Sequence, residues 1–156
     1  MYYTYIIKCL DNTYYTGSTN NLEQRLKRHN SKRGAKYTAA RIPCELIYYE
    51  QFDTLKAAAG REAEIKKYSR SKKEKLIFGL NTYWQHYKGN KYTIVGITKD
   101  IIFYADSRIW HKFEGEMTIS GQEMMLFARH RGQWLDWIER KTLRFKRIQD
   151  ALQAAE

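Results

Sequence analysis

Five side chains in the first half of this chain are of the types that act together on phosphate esters. They are two tyrosines near the start of the chain, an arginine, a histidine and a glutamate: Tyr5, Tyr15, Arg25, His29 and Glu62. A phenol or an imidazole can transfer a proton, a guanidinium can bind two phosphate oxygens, and a carboxylate can hold a hard divalent cation. Residue type alone leaves a second interpretation open, because tyrosines in paired strands are often ordinary core residues.

The spacing of Arg25 and His29 places both on one face of a helix. They lie four residues apart and share a stripe with Leu22 and Leu26, where a surface helix normally carries apolar side chains. Polar groups on such a stripe need partners. His29 is therefore either part of a site or a buried histidine held by structural hydrogen bonds.

The elements that must position these residues follow from apolar patterning and turn residues. Asp11 and Asn12 supply the turn between the first two strands. The pattern predicts, in chain order, strands at 2–10 and 13–16, a helix capped by Asn20 or Asn21 and running to His29, a strand at 44–52, a helix capped by Asp53 or Thr54 and running through Ile65, and a basic helix from Ser69 to about Phe78 and Gly79. This order predicts an α+β domain with a small three-stranded antiparallel sheet flanked by helices.

An ordered series of motifs resembles the GIY-YIG nuclease superfamily, in its small single-domain bacterial form, over residues 1–79. The series consists of Tyr3-Thr4-Tyr5, Tyr15-Thr16-Gly17, the stretch from Asn20 to His29, Gly34-Ala35-Lys36-Tyr37-Thr38, and Arg61-Glu62-Ala63-Glu64-Ile65-Lys66-Lys67. The first triplet departs from the family pattern, with Tyr3 and Thr4 in place of Gly and Ile. The asparagine that several members carry after the glutamate has no counterpart, since Asn81 lies too late.

The resemblance implies a GIY-YIG fold and a site that uses one Mg²⁺ or Mn²⁺ ion held by Glu62. It implies that Arg25 binds the scissile phosphate and that Tyr5 or Tyr15 takes the proton from water. That tyrosine would need a pKa well below the usual value of about 10. His29 would orient the tyrosine or act as the base itself.

Helix phase distinguishes Glu62 from its near neighbour Glu64. At about 100° per residue, one face of the helix is expected to carry Leu55, Ala58, Ala59, Glu62 and Ile65. Glu64 falls on the opposite face with Ala57. We therefore expect Glu62 to point inward as the metal ligand and Glu64 to point to solvent.

Charge favours a polyanionic partner. The net charge is +11, and residues 1–79 hold 16 of the 28 basic residues but 8 of the 17 acidic ones. A basic run after Glu62 is expected to contact phosphates, although such a run is more commonly a solvated helix face; it comprises Lys66, Lys67, Arg70, Lys72 and Lys73. DNA is the expected partner, with RNA not excluded.

Residues 80–156 have a different residue pattern from residues 1–79 and are expected to form a small β-rich, barrel-like accessory domain. Strands are predicted at 92–97 and 101–104, and a helix from Gly121 to Phe127. Through the HYKGN stretch, residues 83–148 resemble a small bacterial domain of uncharacterised function. No function is inferred from this resemblance. The aromatic residues could stack on unpaired bases, but a core role is the favoured interpretation.

The composition excludes other classes of protein. Cys9 and Cys44 have no CxxC spacing, so neither a zinc finger nor a disulfide framework is supported, and we expect two buried thiols. With no segment long enough for a membrane span, a cytoplasmic location is expected. The predicted function is a metal-dependent DNA endonuclease used in repair, recombination or mobile-element defence. Two alternatives stay open: an inactive nucleic-acid-binding module and a sequence-specific restriction-type nuclease.

Overall fold

The computed structural model describes residues 1–108, 126–138 and 142–148. Contacts between Cα atoms divide the chain into two compact units, Met1–Ile77 and Phe78–Glu156. They are called the first and second units below, and each is described by itself. Whether residues 1–79 fold alone as a domain stays a prediction.

The first unit is built on a three-stranded antiparallel sheet. Its strands are β1 (Tyr2–Lys8), β2 (Tyr14–Thr19) and β3 (Glu45–Phe52), in the order β2-β1-β3. Tyr5 lies opposite Gly17 on β2 and opposite Tyr49 on β3. The prediction of a small sheet flanked by helices is confirmed.

Four helices flank this sheet, of which three were predicted. They are α1 (Leu22–Asn30), α2 (Lys36–Ala39), α3 (Leu55–Lys66) and α4 (Arg70–Ile77). The side chain of Asn21 caps α1 by accepting from the backbone of Gln24, and Thr54 caps α3 in the same way. Helix α2 was not predicted, because a single turn without a side-chain cap has no periodicity.

The two faces of the sheet carry different helices, because neighbouring side chains on a strand alternate between faces. Tyr5, Ile7 and Cys9 form a buried cluster against which Leu22 and Leu26 of α1 pack. Thr4, on the other face, donates a hydrogen bond to the carbonyl oxygen of Ala58 in α3 (2.7 Å). Both cysteines are free and buried as expected, with their Sγ atoms 3.6 Å apart.

The second unit contains a curled five-stranded antiparallel sheet, which confirms the β-rich prediction. Its strands are β4 (Tyr83–His86), β5 (Lys91–Ile97), β6 (Ile101–Asp106), β7 (Phe127–His130) and β8 (Phe145–Ile148), in the order β7-β6-β5-β4-β8, with a short helix α5 (Arg131–Trp134). Of the helix predicted from Gly121 to Phe127, Phe127 instead begins β7, and 121–125 lie outside the described residues.

Aromatic side chains fill the interior of the second unit. The rings of Trp134 and Phe145 stack with their centroids 3.9 Å apart, and Trp84 meets Trp134 edge to face. All three are at most 1 % exposed. The core interpretation of these aromatics therefore holds. Among the described helices, none has the length and apolar character that a membrane crossing requires.

Candidate active site

Tyr5, Arg25 and His29 meet in one hydrogen-bonded group between β1 and α1. The Tyr5 hydroxyl lies 2.9 Å from Nε2 of His29, and Nε of Arg25 donates to the same hydroxyl at 2.9 Å. Tyr5 and His29 are buried, while Arg25 is half-buried. The polar residues on the α1 stripe, Arg25 and His29, therefore both contact Tyr5 on β1, which lies at least twenty positions earlier in the chain.

The other nitrogen of His29 is held by Thr38 in α2. Nδ1 of His29 lies 2.8 Å from the Thr38 hydroxyl, and that hydroxyl donates its proton to the carbonyl oxygen of Ala35 at 2.9 Å. With its proton committed, the Thr38 oxygen accepts from Nδ1–H. Nε2 of His29 is then the acceptor for the Tyr5 hydroxyl. Thr38 thereby sets the tautomer of the imidazole.

Burial shifts both titrating members of this group towards their neutral forms. Burial lowers the pKa of His29 to about 4, with help from the charges of Arg25 and Arg28, so the imidazole is neutral at pH 7. Burial also raises the pKa of Tyr5 to about 12 despite the hydrogen bond from Arg25. Without a metal ion the phenol of Tyr5 is therefore neutral at pH 7, and the fall of the tyrosine pKa expected beside a metal stays a prediction.

Two glycines make room for this group. A Cβ atom on Gly17 would lie 2.5 Å from the Tyr5 hydroxyl oxygen, so the phenol passes directly over β2 at this position. A Cβ atom on Gly34 would lie 2.8 Å from both Cα and Nδ1 of His29. Any larger residue at either position would displace the hydrogen-bonded side chains.

Tyr15 borders the same group from β2. Its ring meets the imidazole of His29 edge to face at 5.1 Å and stacks with Tyr37 at 6.2 Å. Arg25 also interacts electrostatically with Tyr15. Tyr15 is partly buried, so four of the five sequence-predicted residues are gathered on the α1 face of the sheet.

Glu62 approaches from α3 on the opposite face. Its Oε2 accepts a hydrogen bond from Ser18 of β2, and its Oε1 pairs with Nζ of Lys66 at 2.5 Å. The charge of Glu62 acts on Tyr5 and the charge of Arg25 acts on Glu62. The carboxylate meets Ser18 and the phenol lies over Gly17, so the two groups contact neighbouring residues of β2, an edge strand of the sheet.

The carboxyl group of Glu62 is ionised at neutral pH. Burial works to raise its pKa, but the hydrogen bonds from Lys66 and Ser18 and the charge of Arg25 outweigh burial and lower the pKa below its ordinary value. An ionised, partly buried carboxylate is the form that binds a hard cation.

On α3, the exposure of the two glutamates agrees with the expected helix phase, but the exposure of two other residues on the expected inward face does not. The Glu62 side chain is 19 % exposed and that of Glu64 is 53 % exposed. Ala58 and Ile65 are buried as expected, whereas Leu55 and Ala59 are exposed. The inward stripe is therefore narrower than expected and retains Ala58, Glu62 and Ile65.

The arginine beside Glu62 anchors α3. Arg61 makes two hydrogen bonds of 2.8 Å to the carboxylate of Glu50 on β3, and a third of 2.7 Å to Glu64. The helix is thus fixed to β3 one residue before the candidate metal ligand.

The site fits one divalent cation through its donor chemistry. Across the part of the chain that is described, no three His, Cys, Asp or Glu side chains are grouped as a metal site. Mg²⁺ and Mn²⁺ accept one carboxylate together with water and substrate oxygens, so Glu62 alone meets this requirement.

The basic run does not form one uniform surface. Lys66 is engaged by Glu62, and Arg70 pairs with Glu74 at 3.0 Å. The ammonium of Lys72 lies over the ring of Tyr68, Lys67 is exposed, and burial lowers the pKa of the half-buried Lys73. Lys67 and Lys72 are the members of the run best placed to meet an external phosphate.

Ser18 and Thr38 were not predicted as site residues. Thr38 lies within the Gly34–Thr38 motif, and Ser18 directly follows the second triplet, so motif position was the available signal. Their partners, His29 and Glu62, are contacts that only the folded chain reveals.

Comparisons with known proteins concern the first half of the chain. Residues 1–75 match the family model described as the GIY-YIG catalytic domain. A UPF0213 protein of Haloquadratum walsbyi is 49 % identical over 75 residues, which cover 48 % of this chain and 84 % of the relative. A UPF0213 protein of Staphylococcus saprophyticus is 51 % identical over 76 residues, covering 49 % of this chain and 93 % of the relative.

One solved structure is similar over the same share of the chain. The solution NMR structure of a UPF0213 protein from Bacillus halodurans is 42 % identical and covers 49 % of this chain and 83 % of that chain, with a TM-score of 0.34.

Proposed function

Because this chain belongs to the GIY-YIG family through its first unit, we propose that it is a divalent-metal-dependent endonuclease that hydrolyses phosphodiester bonds in DNA. Repair, recombination or defence against mobile elements is the context in which such an activity would serve.

The observation that supports this proposal most is the position of the Tyr5 hydroxyl. It lies between a cationic donor, Arg25, and a neutral acceptor, Nε2 of His29. A buried tyrosine in a merely structural role needs one partner, and a single backbone group would suffice. Here the partners are instead Arg25, which can bind a phosphate, and His29, which can accept a proton.

The residues of the group divide the work of hydrolysis. With its pKa at about 12, Tyr5 rests as a phenol, so it acts by passing its own proton to Nε2 of His29 as it receives one from water. Nε of Arg25 is engaged by Tyr5, and the guanidinium, which also interacts with Tyr15, would bind the phosphate through its terminal nitrogens. Tyr15 borders His29 and stands as the alternative proton acceptor.

Glu62 would hold the metal ion, with water and substrate oxygens as its other ligands. When bound, the ion would neutralise developing charge on the phosphate and stabilise the leaving oxygen. Ser18 orients one oxygen of the carboxylate. Lys66 holds the other oxygen and is more than half exposed, so it is free to turn away towards solvent.

The proposal is tested by incubating the protein with labelled branched, single-stranded and duplex DNA in Mg²⁺ or Mn²⁺, with and without excess chelator. Cleavage is expected with metal only, and DNA binding is expected to persist in chelator. Strong cutting in excess chelator would overturn the one-metal proposal. Binding without any cleavage would identify an inactive module, cleavage at one defined sequence a restriction-type enzyme, and preference for an RNA strand a ribonuclease.

A further inference from the structure

Several cations surround one imidazole in the second unit. His86 ends β4, and its ring meets that of Phe145 at a centroid distance of 4.9 Å. The guanidinium of Arg129 lies 5.8 Å from the centroid of the same Phe145 ring. Burial lowers the pKa of His86, and the charges of Arg129, Arg144 and Lys88 add to this effect. These four residues, His86, Lys88, Arg129 and Arg144, are called the cationic cluster.

Among the described residues of the second unit, no carboxylate forms an ion pair with a member of this cluster. Within the described ranges of the second unit, the ion pair present is that of Arg108 with Asp106, outside the cluster. The Nε atoms of Arg129 and Arg144 are shielded from solvent and have no hydrogen-bond partner among the described residues. Asp136 contacts Arg144 through its backbone carbonyl and forms no ion pair with a described residue. A guanidinium without a carboxylate beside it can bind an external anion through its remaining N–H groups, even where Nε is buried.

An exposed aromatic side chain adjoins the cluster. Tyr87 is 47 % exposed, and its ring centroid lies 4.3 Å from that of His86. Its backbone N–H donates to the carbonyl oxygen of Arg144 at 3.0 Å, which fixes the tyrosine beside the arginine. The ammonium of Lys88 lies 5.8 Å from the Tyr87 ring. The buried rings of the core cannot stack on a ligand, whereas this one can.

We propose that the cationic cluster binds the phosphate backbone of single-stranded nucleic acid, with Tyr87 stacking on a base. Guanidinium groups bind phosphate, and a stacking ring beside them is characteristic of sites for unpaired strands. A free phosphate or an anionic membrane would use the charges but not the ring. This inference does not require that the first unit cleave DNA.

The test measures binding of the full-length protein to a fluorescent oligothymidylate by anisotropy, in chelator and over a range of salt concentrations. Arg129→Gln and Arg144→Gln are each expected to weaken binding about 5-fold or more at low salt and to reduce the salt slope by roughly 0.7, the value for one phosphate contact in a single strand. Tyr87→Ala is expected to weaken binding without changing that slope. Arg108→Gln removes a charge from the same unit and is expected to leave binding unchanged.

Each alternative gives its own pattern. If Arg129→Gln and Arg108→Gln lost affinity equally, binding would depend on the overall charge and not on the cationic cluster, which would overturn the proposal. Unchanged affinity in all variants would also overturn it. Equal losses with duplex DNA, or losses seen with phosphatidylserine vesicles and not with oligothymidylate, would overturn the single-strand assignment. If either arginine variant fails to fold, the same test uses the exposed residues in Lys88→Gln and Tyr87→Ala, which are expected to weaken binding. Wild-type protein that binds through the cluster but never cleaves would contradict the proposed nuclease function and not this inference.

Discussion

Tyr5 and His29 are joined by a hydrogen bond of 2.9 Å between two side chains that are at most 1 % exposed. Among the described residues, Nε2 of His29 is the acceptor beside the Tyr5 proton. The geometry makes the imidazole a partner of the phenol, since its other nitrogen is occupied by Thr38.

Glu62→Gln should abolish metal-dependent cleavage while DNA binding persists. The amide removes the negative charge that binds the cation but keeps an acceptor for Ser18. Glu64→Gln is the matched control, since the same change on the exposed face of α3 should leave the single-turnover rate within about 3-fold, the range of a surface change of less than 1 kcal/mol. If the two variants showed the reverse order, the helix phase and the metal assignment would both be wrong.

Arg25→Ala should reduce cleavage by about 100-fold or more, the loss typical of removing one group that stabilises transition-state charge. Stability should fall by only about 1 kcal/mol, since one hydrogen bond to Tyr5 is lost. Single-turnover rates and urea unfolding measure the two effects. Arg28→Ala, on the exposed side of the same helix, should change neither. An unfolded Arg25 variant whose refolded fraction cuts normally would show that Arg25 is structural.

The stability of the first unit should depend on pH through His29. The folded pKa of His29, about 4, lies below its ordinary value of 6.5, so the unfolded chain binds the proton more tightly. This contribution is fully present above pH 6.5 and is lost as the pH falls towards 4, amounting to about 3 kcal/mol over that interval. Urea unfolding at several pH values should show the slope in wild type and not in His29→Gln. An identical slope in both proteins would assign it to other groups.

Thr38→Val should lower the cleavage rate about 10-fold, an effect typical of losing a partner that orients a reactive side chain. Valine keeps the shape but cannot accept from Nδ1 of His29, so the tautomer is no longer fixed. Thr38→Ser should restore the rate, because it retains the hydroxyl. Two-dimensional NMR of the ¹⁵N-labelled imidazole should show Nδ1–H in wild type and Thr38→Ser and a mixture in Thr38→Val. A pure Nδ1–H form in Thr38→Val would show that Thr38 does not set the tautomer of His29.

A fragment of residues 1–79 should fold and retain some cleavage, because the sheet, the hydrogen-bonded group and Glu62 all lie within it. Circular dichroism and the DNA cleavage assay measure the two properties, with full-length protein as the reference. An insoluble fragment would mean that the two units share a core and that the boundary near residue 80 is wrong.

Sequence reasoning reached the fold of the first unit because its signals are local. Turn residues at Asp11 and Asn12 and the caps at Asn21 and Thr54 act within a few residues of their own positions. The family was likewise readable from the order of short motifs. The site residues were identified individually, and their roles stay proposals.

The parts that sequence reasoning missed depend on contacts between distant elements. Ser18 touches Glu62 across 44 positions, and Thr38 reaches His29 from a helix too short to leave a pattern. The raised pKa of Tyr5 follows from burial by α1, which residue type cannot show. The exposure of Leu55 depends on where α3 meets the sheet, which periodicity does not determine.

The outermost position of β2 has a dynamic consequence. This strand carries Gly17, over which the Tyr5 phenol lies, and Ser18, which holds Glu62. Transient fraying of β2 from β1 would therefore separate the hydrogen-bonded group around Tyr5 from Glu62 while β1 and β3 stay paired. Such local openings require less free energy than global unfolding. The proposed site is accordingly intact only while this edge strand stays paired, and amide hydrogen exchange between Thr16 and Thr19 reports on that pairing directly.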